Sequence, residues 1–208
     1  MSPGRVAAIG WLRERGAAGP TPSAADYEAF AALVADRYFA LTTVAIKEAD
    51  PNHLVLGCRF AVPPPKTVIA TAGRHLDVIS FNCYDLDPTV TLDGYAATGK
   101  PCLIGEFSFR AVDSGLPNSN GAGPLLATQA ERAAGFRHYV TAALQKQTLV
   151  GYHWFEHADQ PAEGRFDGEN SNFGTVTIDD RVYEDLTRTM IAVNAEAEDI
   201  HATAAAMT

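Results

Sequence analysis

The stretch Pro101–Phe109, PCLIGEFSF, decides the fold class of this chain. Its apolar residues follow one another without strict alternation, as is typical of a strand covered on both faces of a parallel sheet. Three other short apolar runs have the same character, and helical patterns separate most of them: Leu54–Phe60 (LVLGCRF), Asp77–Tyr84 (DVISFNCY) and Leu149–Phe155 (LVGYHWF). This order predicts parallel β/α units whose helices cover the sheet.

Two long segments carry the strongest helical periodicity. The first runs from Tyr27 to about Glu48, after a capping-box-like start formed by Ser23 and Asp26, and the second is Ala127–Gln145. No GxGxxG or GxxxxGK[ST] motif is present, so the nucleotide-binding α/β folds lose support and a β/α barrel is favoured. Four units are recognisable, whereas a closed barrel has eight.

Composition excludes several classes of protein. The 208 residues are 47% hydrophobic and carry a net charge of −9 without a basic block, which argues against nucleic-acid binding. No uninterrupted apolar run reaches the roughly 18–20 residues of a membrane span. Three cysteines without CxxC spacing support neither a disulfide framework nor a zinc knuckle. The run Val6–Leu12 is a weak secretory signal, so the sequence does not predict a localisation. A secreted or periplasmic location stays open for a longer relative.

Polar residues end the predicted strands. Glu106 follows Gly105 at the end of an apolar strand, where a carboxylate can attack an anomeric carbon or simply pair with an arginine. Tyr84 and Asn82 end the preceding strand, where a tyrosine can orient that carboxylate or be an ordinary rim residue. Arg59 is a candidate partner for the carboxylate.

The segment His153–His157, HWFEH, follows an apolar strand. It matches an inverted zinc-peptidase motif, but that chemistry needs a helix, and no metal site is expected here. Trp154 is instead a candidate sugar platform, with a core tryptophan as the alternative. The polar residues after this strand are candidates for binding hydroxyl groups, and a solvated loop is the alternative: His153, Glu156, Asp159, Gln160, Arg165, Asp167, Glu169, Asn170 and Asn172.

Several strings together resemble the agarase-type glycoside hydrolases of family 50, from about Asp26 to Glu184. They are DPNHLVLGCRFA, DVISFNCYD, GKPCLIGEFSFRAVDSG, QAERAAGFRHYV and VGYHWFEHADQPAEGRFDGENSNFG. The resemblance implies the C-terminal half of a (β/α)8 barrel, with strands five to eight and their covering helices at residues 26–200. A helical or irregular lead-in would occupy residues 1–25, and a frayed tail residues 201–208.

The resemblance also implies an activity, retaining hydrolysis of β-1,4 bonds in agar-type galactans. Glu106 matches the nucleophile, Tyr84 the tyrosine beside it, Trp154 the aromatic at the sugar platform and Arg59 the end of the fifth strand. No metal or organic cofactor is implied. The substrate partner is a galactan oligosaccharide or polysaccharide.

One departure from the family concerns the general acid/base, a glutamate in an Asn-Glu pair. No such pair precedes Asp26, where Glu14 is the one acidic residue. The sequence therefore predicts that this chain alone is impaired, because departure of the leaving group needs a protonated carboxyl. The open alternatives are a non-catalytic galactan-binding or assembly half that pairs with an N-terminal half-barrel chain or with itself, and a β-galactosidase of the same clan.

Overall fold

The computed structural model describes residues 1–16 and 21–206 of the chain. Its strands are β1 (Ile79–Asn82), β2 (Cys102–Phe107), β3 (Arg110–Ala111), β4 (Leu125–Leu126) and β5 (Leu149–Trp154). Its α-helices are α1 (Pro3–Glu14), α2 (Ala24–Ala49), α3 (Lys66–His75), α4 (Thr89–Ala96), α5 (Gln129–Leu144), α6 (Glu184–Ala195) and α7 (Ala197–Ala205). A single 3-10 turn at Val112–Ser114 follows β3.

The main sheet is parallel, in the order β1-β2-β5, and β3 and β4 form a second parallel pair. Helix α4 connects β1 to β2, and α5 precedes β5, so helices alternate with strands as predicted. Aromatic rings fill the layer between sheet and helices: Phe107 stacks on Tyr139 at 4.1 Å and on Phe136 at 5.9 Å. The α/β class with parallel strands is confirmed, and the partial (β/α)8 barrel stays a prediction.

The segment predicted as the first strand, Leu54–Phe60, runs beside β1 without forming a regular strand. It makes one parallel bridge, between Phe60 and Phe81. The cause is Gly57, whose φ of +67° lies outside the extended region. The segment nevertheless brings Arg59 to the same end of the sheet as β1 and β2.

Helix α2 begins where the sequence predicts. The Ser23 hydroxyl accepts a hydrogen bond from the Asp26 amide at 3.2 Å, and the Asp26 carboxylate accepts one from the Ser23 amide at 2.9 Å. By length and composition alone this helix could cross a membrane, although polar residues interrupt its apolar runs. A core helix or a secretory signal meets the same criterion, but little of this helix is buried.

Helices occupy most of both terminal segments that the structure describes. Helix α1 occupies most of the predicted lead-in and packs on α2 through Trp11 and Phe30, whose rings lie 5.4 Å apart. Residues 17–20 of the predicted lead-in lie outside the described residues. Helix α7 extends to Ala205, so the tail predicted to fray from residue 201 is helical that far, and residues 207–208 are outside the described part.

Candidate active site

Strand β2 places Glu106 at the centre of the sheet's carboxyl edge. Asn82 lies beside it at the end of β1, and the β1–β2 register shifts between Phe81 and Asn82. Such an irregularity changes the direction of the side chains next to it. Arg59 arrives from the neighbouring segment and Tyr84 from the residues after β1, so adjacent chain segments supply all four side chains.

Three donors hold the Glu106 carboxylate. Arg59 Nη1 donates to Oε1, while Asn82 Nδ2 and Tyr84 Oη donate to Oε2 at 2.7 and 2.9 Å. The Glu106 side chain keeps 19% of its surface exposed, so it remains open to a ligand. Burial raises the pKa of the Tyr84 hydroxyl, which keeps it a donor. The structure thus brings together Glu106, Tyr84, Asn82 and Arg59.

Gly105 makes room for this arrangement. A Cβ atom placed there would lie 3.0 Å from Cδ of Arg59 and 3.1 Å from the Ser80 hydroxyl. Any side chain would therefore press on the stem of the arginine that contacts Glu106. Gly105 thus permits the close approach of the Arg59 side chain to this part of β2.

An open cavity of about 540 Å³ lies in front of the carboxylate. Besides the four residues already described, its lining includes Val62, Pro63, Phe155, Arg165 and Glu169. The Oδ1 atom of Asn82 is buried and has no hydrogen-bond partner among the described residues, while its Nδ2 holds Glu106. A carboxylate, an amide, a phenol and a guanidinium around an open cavity suit a polyhydroxylated ligand.

A second polar cluster stands beside the cavity. Gln160 Nε2 donates to Glu156 Oε1 at 3.1 Å and to Glu169 Oε2 at 2.9 Å, and Arg165 pairs with Glu169 at 2.8 Å. Burial raises the pKa of the Glu156 carboxyl, and the neighbouring carboxylates act in the same direction. Arg165 also donates hydrogen bonds to Asp167 from Nε and Nη2, and these hydrogen bonds lower the pKa of the Asp167 carboxyl.

Other predicted loop residues hold the loop together. The buried Asp159 accepts hydrogen bonds from Asn172 Nδ2 and the Gly174 amide, both at 2.8 Å, and from the Tyr183 hydroxyl at 2.5 Å. Asn170 accepts from the amides of residues 119 and 120 at 3.0 and 3.1 Å. These contacts fix the path of the loop.

Trp154 does not line the cavity. Its ring packs among Phe107 and Phe136 in the layer below α5, and its Nε1 donates to the Phe173 carbonyl at 2.8 Å. The buried guanidinium of Arg132 lies 5.3 Å from the ring centre. The structure therefore favours the core alternative for Trp154. The aromatic residue after β5 that lines the cavity is Phe155, which the sequence pattern does not single out. Phe155 directly follows Trp154 in the HWFEH segment, so the sequence places an aromatic residue there but does not show which of the two reaches the cavity.

The HWFEH segment is not a helix. β5 ends at Trp154, and the side chains of His153 and His157 are exposed. Within residues 1–16 and 21–206, no group of three or more His, Cys, Asp or Glu side chains is placed to hold a metal ion. The arrangement required by the zinc-peptidase alternative is absent from the described residues.

Comparisons with known proteins point to one family. The chain is 36% identical to beta-agarase B of Vibrio sp. (strain JT0107) over 167 residues, and 38% identical to beta-agarase A of the same organism over 173 residues. These matches cover 77% and 78% of this chain but 17% of each relative. No family model matches the sequence.

Solved structures agree with the sequence relatives. An exo-beta-agarase superposes with a TM-score of 0.80 at 33% identity, covering 88% of this chain and 25% of the other. An agarase superposes with 0.77 at 35% identity, covering 85% and 25%. A β-galacturonidase of Eisenbergiella tayi gives 0.54 at 18% identity, covering 76% and 30%, which shows likeness of fold alone.

Proposed function

This chain belongs to the agarase-type glycoside hydrolases of family 50, and we propose that it carries the nucleophile of a site that cleaves agar-type galactans with retention. The observation that carries the proposal is Glu106, a carboxylate at the end of the central strand, held by three donors and facing an open cavity. The chain spans 17% of each curated relative's length, so the assignment concerns this segment of the family.

In the first step, a Glu106 oxygen attacks the anomeric carbon. A bond forms between that carbon and the carboxylate, the bond to the leaving oxygen breaks, and the leaving oxygen takes a proton from an acid. In the second step, water attacks the same carbon, the conjugate base of that acid takes the proton of the water, and Glu106 departs as a carboxylate. Arg59, Asn82 and Tyr84 donate hydrogen bonds to the carboxylate and fix its orientation, which supports its role as nucleophile.

The proton donor belongs, in this proposal, to residues outside the sequence described, on a longer chain or on a partner chain. A retaining glycosidase places its acid about 5 Å from the nucleophile. Glu169 lines the same cavity, but its carboxylate lies 2.8 Å from Arg165 and accepts a hydrogen bond from Gln160, so we assign it to binding. We therefore expect an unactivated galactan to turn over slowly on this chain by itself.

The substrate is a galactan chain bound along the cavity. Phe155 offers an aromatic wall, and Glu169 offers hydrogen bonds to sugar hydroxyls. Gln160 links Glu169 to Glu156, and Asn82 holds Glu106. Arg59 and Arg165 complete the polar lining, while Asp159 and Asn170 shape the loop. Asp167 orients Arg165. We give His153 and Trp154 no role in substrate binding, because neither lines the cavity.

An aryl β-galactoside with a good leaving group tests the proposal, because its departure needs little help from an acid. We expect slow release of the phenol by the whole chain and loss of that release in Glu106→Ala. Added azide should restore release in this variant and give the galactosyl azide of α configuration, since azide replaces the missing carboxylate. Release that persists unchanged in Glu106→Ala would contradict the proposal. Glu163→Ala, at an exposed loop position, is the matched control.

Rapid release of reducing sugar from agarose by the chain alone would contradict one part of the proposal. It would show that the described residues already contain a working acid. The role of Glu106 would then be judged by whether that activity disappears in Glu106→Gln.

A further inference from the structure

We propose that Phe166 forms an outer sugar-binding position at the rim of the cavity, where its ring stacks on a pyranose of the galactan chain beyond the unit held at Glu106. This inference rests on the proposed function, because the ligand is the same polysaccharide. The Phe166 side chain is 98% exposed, which makes it the most exposed large hydrophobic residue in the described part of the chain.

The position of Phe166 links it to the cavity. Arg165 and Glu169 line the cavity, and Phe166 lies next to Arg165 in the chain. The Arg165 guanidinium lies 5.8 Å from the centre of the Phe155 ring, which also lines the cavity, and 5.7 Å from the centre of the Phe166 ring. The Arg165 guanidinium thus lies near both the Phe155 ring inside the cavity and the Phe166 ring outside it. A galactan that leaves the cavity on this side would therefore meet Phe166.

The loop that carries Phe166 is held in place at both sides of the ring. The Arg165 amide donates to the Glu169 carbonyl at 2.9 Å, and the Gly168 amide donates to the Arg165 carbonyl at 2.8 Å. Gly164 and Gly168 have φ of +89° and +84°, values that favour glycine at both turns. The Arg165 side chain adds ion pairs to Asp167 and Glu169. A rigid loop presents the ring without an ordering cost at binding.

Exposure of a large apolar ring is unfavourable in water, and scattered surface hydrophobes are common. What sets Phe166 apart is the combination of full exposure, a fixed loop and adjacency to the cavity. The flat apolar face of a pyranose ring is the surface that such an aromatic ring stacks on. The surrounding Arg165, Asp167 and Glu169 supply partners for the hydroxyl groups at the edge of that sugar.

Binding of agaro-oligosaccharides of two lengths tests the inference. The Glu106→Gln chain serves as the parent, because it does not consume the ligand, and affinities for an agaro-disaccharide and an agaro-hexasaccharide are measured by titration calorimetry. Adding Phe166→Ala should weaken hexasaccharide binding about 5- to 10-fold and leave disaccharide binding within about 2-fold. Phe166→Trp should keep the affinity, and Phe166→Leu, which is apolar without a flat face, should not.

Ile191→Ala is the matched control, since Ile191 is 70% exposed on α6 and does not line the cavity. If the parent binds both sugars and Phe166→Ala changes neither affinity, the inference is overturned and the proposed function stands. Equal weakening for both lengths also overturns it, because the loop and not an outer contact would then be responsible. If the parent binds neither sugar, the proposed function fails as well.

Discussion

At the scale of single residues, the account depends on three hydrogen bonds to one carboxylate. Tyr84→Phe removes the donor 2.9 Å from Glu106 Oε2. Loss of a hydrogen bond to a charged group amounts to about 1.5–3 kcal/mol, so we expect aryl galactoside release to slow by about 10- to 100-fold. Tyr95→Phe is the control, because the buried Tyr95 hydroxyl has no partner among the described residues. Equal rates for wild type and Tyr84→Phe would contradict the positioning role.

Gly105→Ala tests the same carboxylate from the side of Arg59. The new Cβ would lie 3.0 Å from Arg59 Cδ and displace the guanidinium from Glu106. We expect a rate loss of about 10- to 100-fold in the aryl galactoside assay, since small misplacements at a reacting group have effects of this size. The control is Gly94→Ala, because nothing lies within 4 Å of a Cβ there. A normal rate for Gly105→Ala would show that Arg59 need not be fixed.

Glu156 gives a prediction about pH. Burial raises the pKa of its carboxyl, so the folded state binds this proton more tightly than the unfolded chain. The stability that this carboxyl contributes is present below its ordinary pKa of about 4.5 and is lost as pH rises through the higher folded value. We expect the free energy of unfolding, measured by urea denaturation, to change less with pH across that range in Glu156→Gln than in the wild type. The same pH dependence in wild type and Glu156→Gln would contradict this.

Some of these residues were predictable and others were not. A carboxylate that ends an apolar strand is visible in the sequence, and so are the polar residues on the neighbouring strand. The side of the sheet taken by Trp154 was not visible, because the apolar run Leu149–Phe155 does not show which of its two faces meets the helices. Trp154 shares with Tyr152 the face that packs on Phe107 and Phe136. The next residue, Phe155, therefore reaches the cavity.

At the scale of elements, Gly57 decides the path of the segment that carries Arg59. An apolar run predicts a buried strand but does not reveal a single residue with positive φ. Gly57→Ala combines a φ of +67° with a Cβ 2.4 Å from Leu76 Cδ1. We expect a loss of about 3 kcal/mol or more in the free energy of unfolding, measured by urea denaturation.

Gly99→Ala separates the two contributions at Gly57. Its φ is +72°, but nothing lies within 4 Å of the new Cβ. The backbone effect alone should then amount to about 1–2 kcal/mol. If both variants lose the same stability, packing of Leu76 against Gly57 is not what constrains this segment.

At the scale of the whole molecule, a face of α2 and the outer edge of β5 are left uncovered by residues 1–16 and 21–206. On α2, Val34, Tyr38 and Leu41 follow one another at helical spacing and are 50–53% exposed. Among the described residues, β2 is the only strand that pairs with β5, so one edge of β5 is open. Val150 on this strand is 62% exposed. Exposed apolar helix stripes and open strand edges favour association. These surfaces support the proposal that the chain pairs with another half-barrel chain or with itself.

Sedimentation tests that association. We expect the chain to sediment as a dimer or larger species, and Leu41→Lys to shift it toward the monomer, because the charge opposes burial of the helix face. Ile191→Lys, at an exposed position on α6, should leave the distribution unchanged. A monomer at all concentrations, in the absence of any other chain, would remove the self-association alternative.

The central claim, that Glu106 is the nucleophile, is tested most directly by trapping the covalent intermediate. With 2-deoxy-2-fluoro-β-galactosyl fluoride, the fluoride leaves without an acid and the second fluorine slows hydrolysis of the adduct. Mass spectrometry of peptides from the whole chain should locate one galactosyl adduct on Glu106, and none on the Glu106→Gln variant. An adduct on another carboxylate such as Glu156 or Glu169, or no adduct on folded protein, would contradict the account.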